Sequence, residues 1–189
     1  MSIELDRIGW QDEPSEETPI DSGNLKQMEN NTEKAINKLF KLATTNMTIE
    51  TTANKAYSHT GGSQYLQEAI QFQKSRGNAN EILTFEQNGI KIGPGIKHID
   101  VKGSASMFHK EADGRNAFIY IRKNKAMMTQ AQHRMQNMDE VYDVVTFYDY
   151  MEVKEGDLIQ LYIAIDNANF TVKGLNGVGV TQLSVKVVD

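Results

Sequence analysis

Four histidines, His59, His98, His109 and His133, and an Asp166-Asn167-Ala168-Asn169 run are the residues from which a metal or acid–base site could be built. A histidine metal site needs partners at short, regular spacing, and these four stand far apart. His98 falls on the polar side of an alternating stretch and reads as a surface residue. Asp166 beside Asn167 and Asn169 offers the oxygen ligands that Ca²⁺ takes, but the same residues are ordinary turn formers, and a turn is the reading adopted. No phosphate-binding glycine loop, dinucleotide fingerprint or nucleophile-elbow serine is present. No carboxylate pair marks a glycoside-cleaving groove. Cysteine is absent, which excludes disulfides, thiolate zinc and thiol catalysis. The sequence therefore predicts no catalytic residue, no metal and no cofactor: the chain reads as a non-enzyme.

Charge narrows the partners. Of the 189 residues, the first twenty-one hold seven acids (Glu4, Asp6, Asp12, Glu13, Glu16, Glu17, Asp21) and one base, Arg7. The rest is close to neutral, so no basic footprint for nucleic acid exists. No apolar run approaches the ~20 residues that span a bilayer. The N-terminus lacks the basic and apolar regions of a secretory signal, so synthesis in a cytoplasm without membrane insertion is expected.

Four segments would carry these residues. Residues 1–17 form a polar arm with the only Trp, Trp10, and Pro14; Pro19 follows at the start of the next segment. Trp10, Pro14 and Pro19 are the candidate attachment residues. Residues 18–60 read as a helical stem. Thr18-Pro19-Ile20-Asp21 resembles a helix start. Leu25, Met28, Thr32, Ala35, Leu39, Leu42, Asn46, Ile49, Ala53 and Ala56 then follow at alternating spacings of three and four, one seam of a coiled coil. Leu25, Met28, Leu39, Leu42 and Ile49 are its main apolar positions, and Asn46 would fix register. Residues 61–80 read as a shoulder with a short helix over 64–74.

Residues 81–189 change period to two. Strands are expected near 82–85, 90–92, 99–107, 117–122, 141–153, 158–165 and 178–188, with an Asn88-Gly89 hairpin turn. Such a series joined by Gly-, Asn- and Asp-rich turns predicts an antiparallel jelly-roll sandwich. Two strands are apolar on both sides, and their polar-tipped side carries Tyr142, Tyr148, Tyr150 and Tyr162. Tyrosine suits a surface that is buried with its hydroxyl satisfied, so this is the candidate interface between heads. Residues 123–138 interrupt the strand series. They hold Met127, Met128, His133, Arg134 and Met135 and read either as a contact loop or as a capping insertion.

Two resemblances extend this reading. The string Trp10-x-Asp12-x-Pro14-Ser15-x-x-Thr18-Pro19-Ile20-x-x-x-Asn24-Leu25-x-x-Met28-Glu29 resembles the opening of tail, baseplate and fibre proteins of phages and prophages of Gram-positive bacteria. The stretches Ile99 to Phe108, Val153 to Leu161 (with Gly156-Asp157 at a hairpin) and Thr181 to Val185 resemble the heads of trimeric tumour-necrosis-factor-like and complement-like proteins. Together they imply a homotrimeric virion appendage made in a bacterial host. Its arm would join other tail or baseplate proteins, and its head would adhere to host cell-wall glycan. The alternative is a structural fibre, collar or adaptor without receptor binding. The fold expected is mixed and mainly β: a coiled-coil stem followed by a jelly-roll head over 81–189.

Overall fold

A computed structural model describes residues 22–57, 65–108, 116–134, 143–166, 170–174 and 181–188. Trp10, Pro14, Pro19, Met135 and Tyr142 lie outside the described residues.

Helix α1 spans Ser22–Thr44, about 35 Å at 1.5 Å per residue. The described strands are β1 (Asn46–Glu50), β2 (Lys55–Tyr57), β3 (Tyr65–Ala69), β4 (Lys74–Arg76), β5 (Leu83–Glu86), β6 (Gly89–Ile92), β7 (His98–Phe108), β8 (Asn116–Lys123), β9 (Ala126–Arg134), β10 (Asp143–Glu152), β11 (Leu158–Asp166), β12 (Phe170–Val172) and β13 (Gln182–Val187).

They form two antiparallel sheets. One runs β2-β12-β7-β13-β1-β4, with β10 on the second edge of β7. The other runs β5-β6-β11-β8-β9, with β3 beside β6 along β11. The first sheet contains the path β1-β13-β7-β10, and the second contains β6-β11-β8-β9. Numbered one to eight along the chain, these eight strands pair 1-8-3-6 and 2-7-4-5, which is the order of a jelly roll.

Alternation explains the core. Ile99, Val101, Ala105 and Met107 of β7 point inward, as do Ile159, Leu161 and Ile163 of β11, and all seven are buried. Gly103 takes an inward position where Phe147 and Leu161 leave no space; a Cβ there would sit 2.9 Å from the Phe147 ring.

The helix is shorter than the heptad pattern of the expected stem implies. Helix α1 stops at Thr44; Asn46 and Ile49 lie on β1, Ala56 lies on β2, and Ala53 is in the connection between them. Residues 44–52, Thr-Thr-Asn-Met-Thr-Ile-Glu-Thr-Thr, hold six β-branched side chains, which favour an extended chain. Ile49 is fully buried between the sheets. The expected shoulder helix over 64–74 is also replaced, by β3 and β4. There Ile70 and Phe72 are buried while Gln71 and Gln73 are not, a period of two. The sandwich therefore begins at Asn46 rather than at residue 81.

Within the 123–138 stretch, residues 123–134 are not an insertion but the turn and second strand of a hairpin. Lys123 and Ala126 pair across Asn124-Lys125, whose φ angles of 50° and 71° make the tight hairpin turn between β8 and β9. The Asn124 side chain then ties this turn to the one between β10 and β11. Its Nδ2 donates to Asp157 Oδ1 at 2.6 Å, and its Oδ1 accepts from Leu158 N at 2.9 Å.

Candidate functional site

The joint between helix and sandwich is closed by a set of hydrogen bonds. The last carbonyls of a helix lack partners inside it. Here Thr45, fully buried, donates its Oγ1 to Lys41 O at 2.6 Å and its N–H to Leu42 O at 3.0 Å. Asn80, in the left-handed region at φ 49°, donates Nδ2 to Lys41 O and to Thr45 Oγ1, both at 2.8 Å. Asn46 Nδ2 donates to Thr44 O at 3.0 Å, and Val187 N donates to Thr45 O at 3.0 Å. Gly77, at φ +110°, lets the chain pass Asn46, since a Cβ would lie 2.6 Å from Asn46 Oδ1. Leu42 packs against the core.

Directly after this joint the outer side of the first sheet opens into a groove of about 640 Å³. Strand register explains its lining. Asn46, Lys186, Asp100 and Tyr150 stand in one row across β1, β13, β7 and β10, and Thr48, Ser184, Lys102 and Tyr148 in the next. The floor is low because Thr48 and Ser184 are small; their hydroxyls are 2.9 Å apart. The tyrosines form the high wall. Tyr148 is 71% exposed and Tyr150 57%. Lys102 Nζ lies 5.4 Å from the Tyr148 ring centre, and the His98 ring stacks on Tyr150 at 5.4 Å and 10°. Lys102 and Lys186 against Asp100 and Asp149 leave the lining balanced in charge.

The candidate tyrosines are not all on one surface. Tyr148 and Tyr150 share the outer side of β10, whereas Tyr162 lies on β11 in the other sheet, with the Arg122 guanidinium 4.3 Å from its ring centre. Alternation assigns a residue to one side of its own strand and carries no information about which sheet that strand joins. Arg122, on β8 opposite Gln160 of β11, is a residue the sequence does not single out, because only the pairing of β8 with β11 brings it to Tyr162.

Two methionines of the expected contact loop, Met127 and Met128, belong to a strand. Met127 and Met128 are 56% and 40% exposed on β9. His133 and Arg134 are in β9 opposite Ala117 and Asn116. Strands β9 and β10 are neighbours at one rim of the sandwich. That rim thus carries Met127, Met128, Tyr148 and Tyr150, all exposed.

Of the stem residues, Leu25, Met28, Leu39 and Leu42 are on α1. Leu25, Met28 and Leu39 are 49%, 45% and 62% exposed, and Ile36 and Phe40 beside them are 59% and 69% exposed. At 3.6 residues per turn these five lie on one side of the helix. The other side behaves in reverse. Asn31 is only 9% exposed, and Asn24, Gln27, Ala35 and Lys38 around it are half-buried. The least exposed positions of the helix are thus mostly polar, while these five apolar side chains stand exposed beside Glu29 and Thr32.

Among the described residues no group of three His, Asp or Glu side chains could hold a metal ion. No described helix is long and apolar enough to cross a membrane.

No protein family and no curated protein matches this sequence. Solved structures similar to this chain include crystal structures of murine APRIL at pH 5.0 and at pH 8.0. Each is 12% identical, with a TM-score of 0.49 over 75% of this chain and 99% of the other. The jelly-roll assignment rests on the strand order given above.

Proposed function

We propose that this chain is the subunit of a homotrimeric tail or baseplate appendage of a phage or prophage. In this reading α1 is the stem, and the jelly roll is a head carried outward for adhesion to host cell-wall glycan. The observation that carries the reading is the exposed apolar side of α1, formed by Leu25, Met28, Ile36, Leu39 and Phe40. Completely covering such a side chain is worth about 1.5–3 kcal/mol, and copies of the same helix are its natural cover. The groove follows from the stem. Packed helices lie about 8–10 Å apart, and Asn46 is two residues past the end of α1. Parallel stems would therefore bring the Asn46–Thr48 edge of each groove close to the axis. Tyr148 and Tyr150, three strands away, would then meet the neighbouring head.

Mass in solution tests this. Three times the 21.3 kDa chain is expected, and a 21.3 kDa monomer overturns it. Adhesion is read from sedimentation of the full chain with purified Gram-positive cell walls. A second reading, a structural part without receptor binding, is favoured by Arg122: it already covers the Tyr162 ring on the sheet left facing outward. A trimer that does not sediment with the walls supports that second reading.

A further inference from the structure

We propose that Phe40 of each subunit enters the groove of the next head and packs against its Tyr150; this contact rests on the homotrimer proposed above and names what fills the groove. The orientation of α1 comes first. Leu42 packs against the core of its own chain. Phe40 is two residues earlier, about 200° round the helix, and so points away from its own head. It is 69% exposed, more than Leu25, Met28, Ile36 or Leu39. It also stands outside the three-four spacing that runs through Leu25, Met28, Leu39 and Leu42. A seam between stems therefore covers Leu39 and leaves Phe40, about 100° further round, on the flank beside the neighbouring subunit.

The distances agree. Phe40 lies four residues before Thr44, about 6 Å up the helix from the joint. The row of the groove nearest the joint is Asn46, Lys186, Asp100 and Tyr150. Strands stand about 4.8 Å apart, so Tyr150 is about 14 Å across from Asn46. Packed helices lie about 8–10 Å apart. A side chain reaches about 5–6 Å from its helix axis, which carries Phe40 of the next copy to about 13–16 Å. The chemistry agrees as well. Lys102 and Lys186 balance Asp100 and Asp149 in the lining, so an uncharged ring enters without burying an unpaired charge. The His98 ring is stacked on Tyr150 at 5.4 Å, and Tyr150 is still 57% exposed to a second ring. The contact joins the stem of one copy to the head of the next, where the seam joins only helices.

The chain has no cysteine, so thiols can be placed in it without background. The full chain with Phe40→Cys is co-expressed with a size-tagged full chain carrying Asp100→Cys, which lies beside Tyr150 in the same row and leaves that ring in place. Mass in solution is measured first, and a short bismaleimide is then added. A linked pair of unequal size is expected on a denaturing gel, because only a contact from 40 to 100 between copies joins one chain of each kind. In a separate measurement, Phe40→Ala should raise the dissociation constant of the assembly about tenfold with circular dichroism unchanged. A trimer that yields no unequal pair overturns this contact and leaves the stem intact. So does a Phe40→Ala chain that assembles as tightly as the native one. A native chain that is a monomer by mass overturns the trimer itself, and the contact with it.

Discussion

At Asn80 a single side-chain amide closes the end of a helix and a strand joint together. Its two donors serve Lys41 O and Thr45 Oγ1, and its backbone sits at φ 49°, which asparagine tolerates better than most residues. Asn80→Ala removes both bonds and strains the backbone. A loss of about 1–3 kcal/mol is expected from urea unfolding of the full chain. Asn80→Gly, which keeps the backbone relaxed, isolates the share of the amide. Nothing in the sequence marks Asn80, because its partners are thirty-nine and thirty-five positions away. Tyr148 and Tyr150 were more legible: Thr146, Tyr148 and Tyr150 alternate with Phe147 and Met151, and the tyrosines indeed face out. Their substitution is informative because both are exposed in one copy. Tyr148→Ala with Tyr150→Ala should leave the thermal midpoint of the isolated subunit near its native value. It should raise the dissociation constant of the assembly by at least about tenfold, or 1.4 kcal/mol, as read by sedimentation at several concentrations.

Helix α1 shows how far a spacing pattern can be trusted at the level of elements. The three-four spacing was real through Leu42, where it describes a helix side. Beyond that point it continued by coincidence into a β-branched run, and strand pairing with β13 and β4 took over. The 123–138 stretch failed for a related reason. Its turn is Asn-Lys rather than Asn-Gly, so a two-residue hairpin was hidden in what looked like an insertion. Within α1 the decisive positions are Ile36 and Leu39, both exposed. Ile36→Glu with Leu39→Glu should convert the assembly to monomers while circular dichroism keeps its β signal, since neither side chain belongs to the sandwich core. Retained assembly would move the association surface entirely to the head.

For the whole molecule, the antiparallel sandwich was legible because alternation and turn residues recur along the second half of the chain. Strand order was not, since pairing across the barrel of the jelly roll joins residues more than a hundred positions apart, such as Met47 and Val185. That pairing has a consequence for how the protein is made. Strand β13 is hydrogen-bonded to β1 on one side and to β7 on the other. It is thus a wedge between the strand that follows the helix and the longest strand of the sheet. Until residues 182–187 have left the ribosome, β1 and β7 each keep an open edge and the sheet cannot close. A chain cut short before β13 can form α1 and expose its apolar side, yet it has no finished head. Synthesis order therefore separates the two halves in time: the apolar side of α1 is ready first, and the sandwich is completed only by β13.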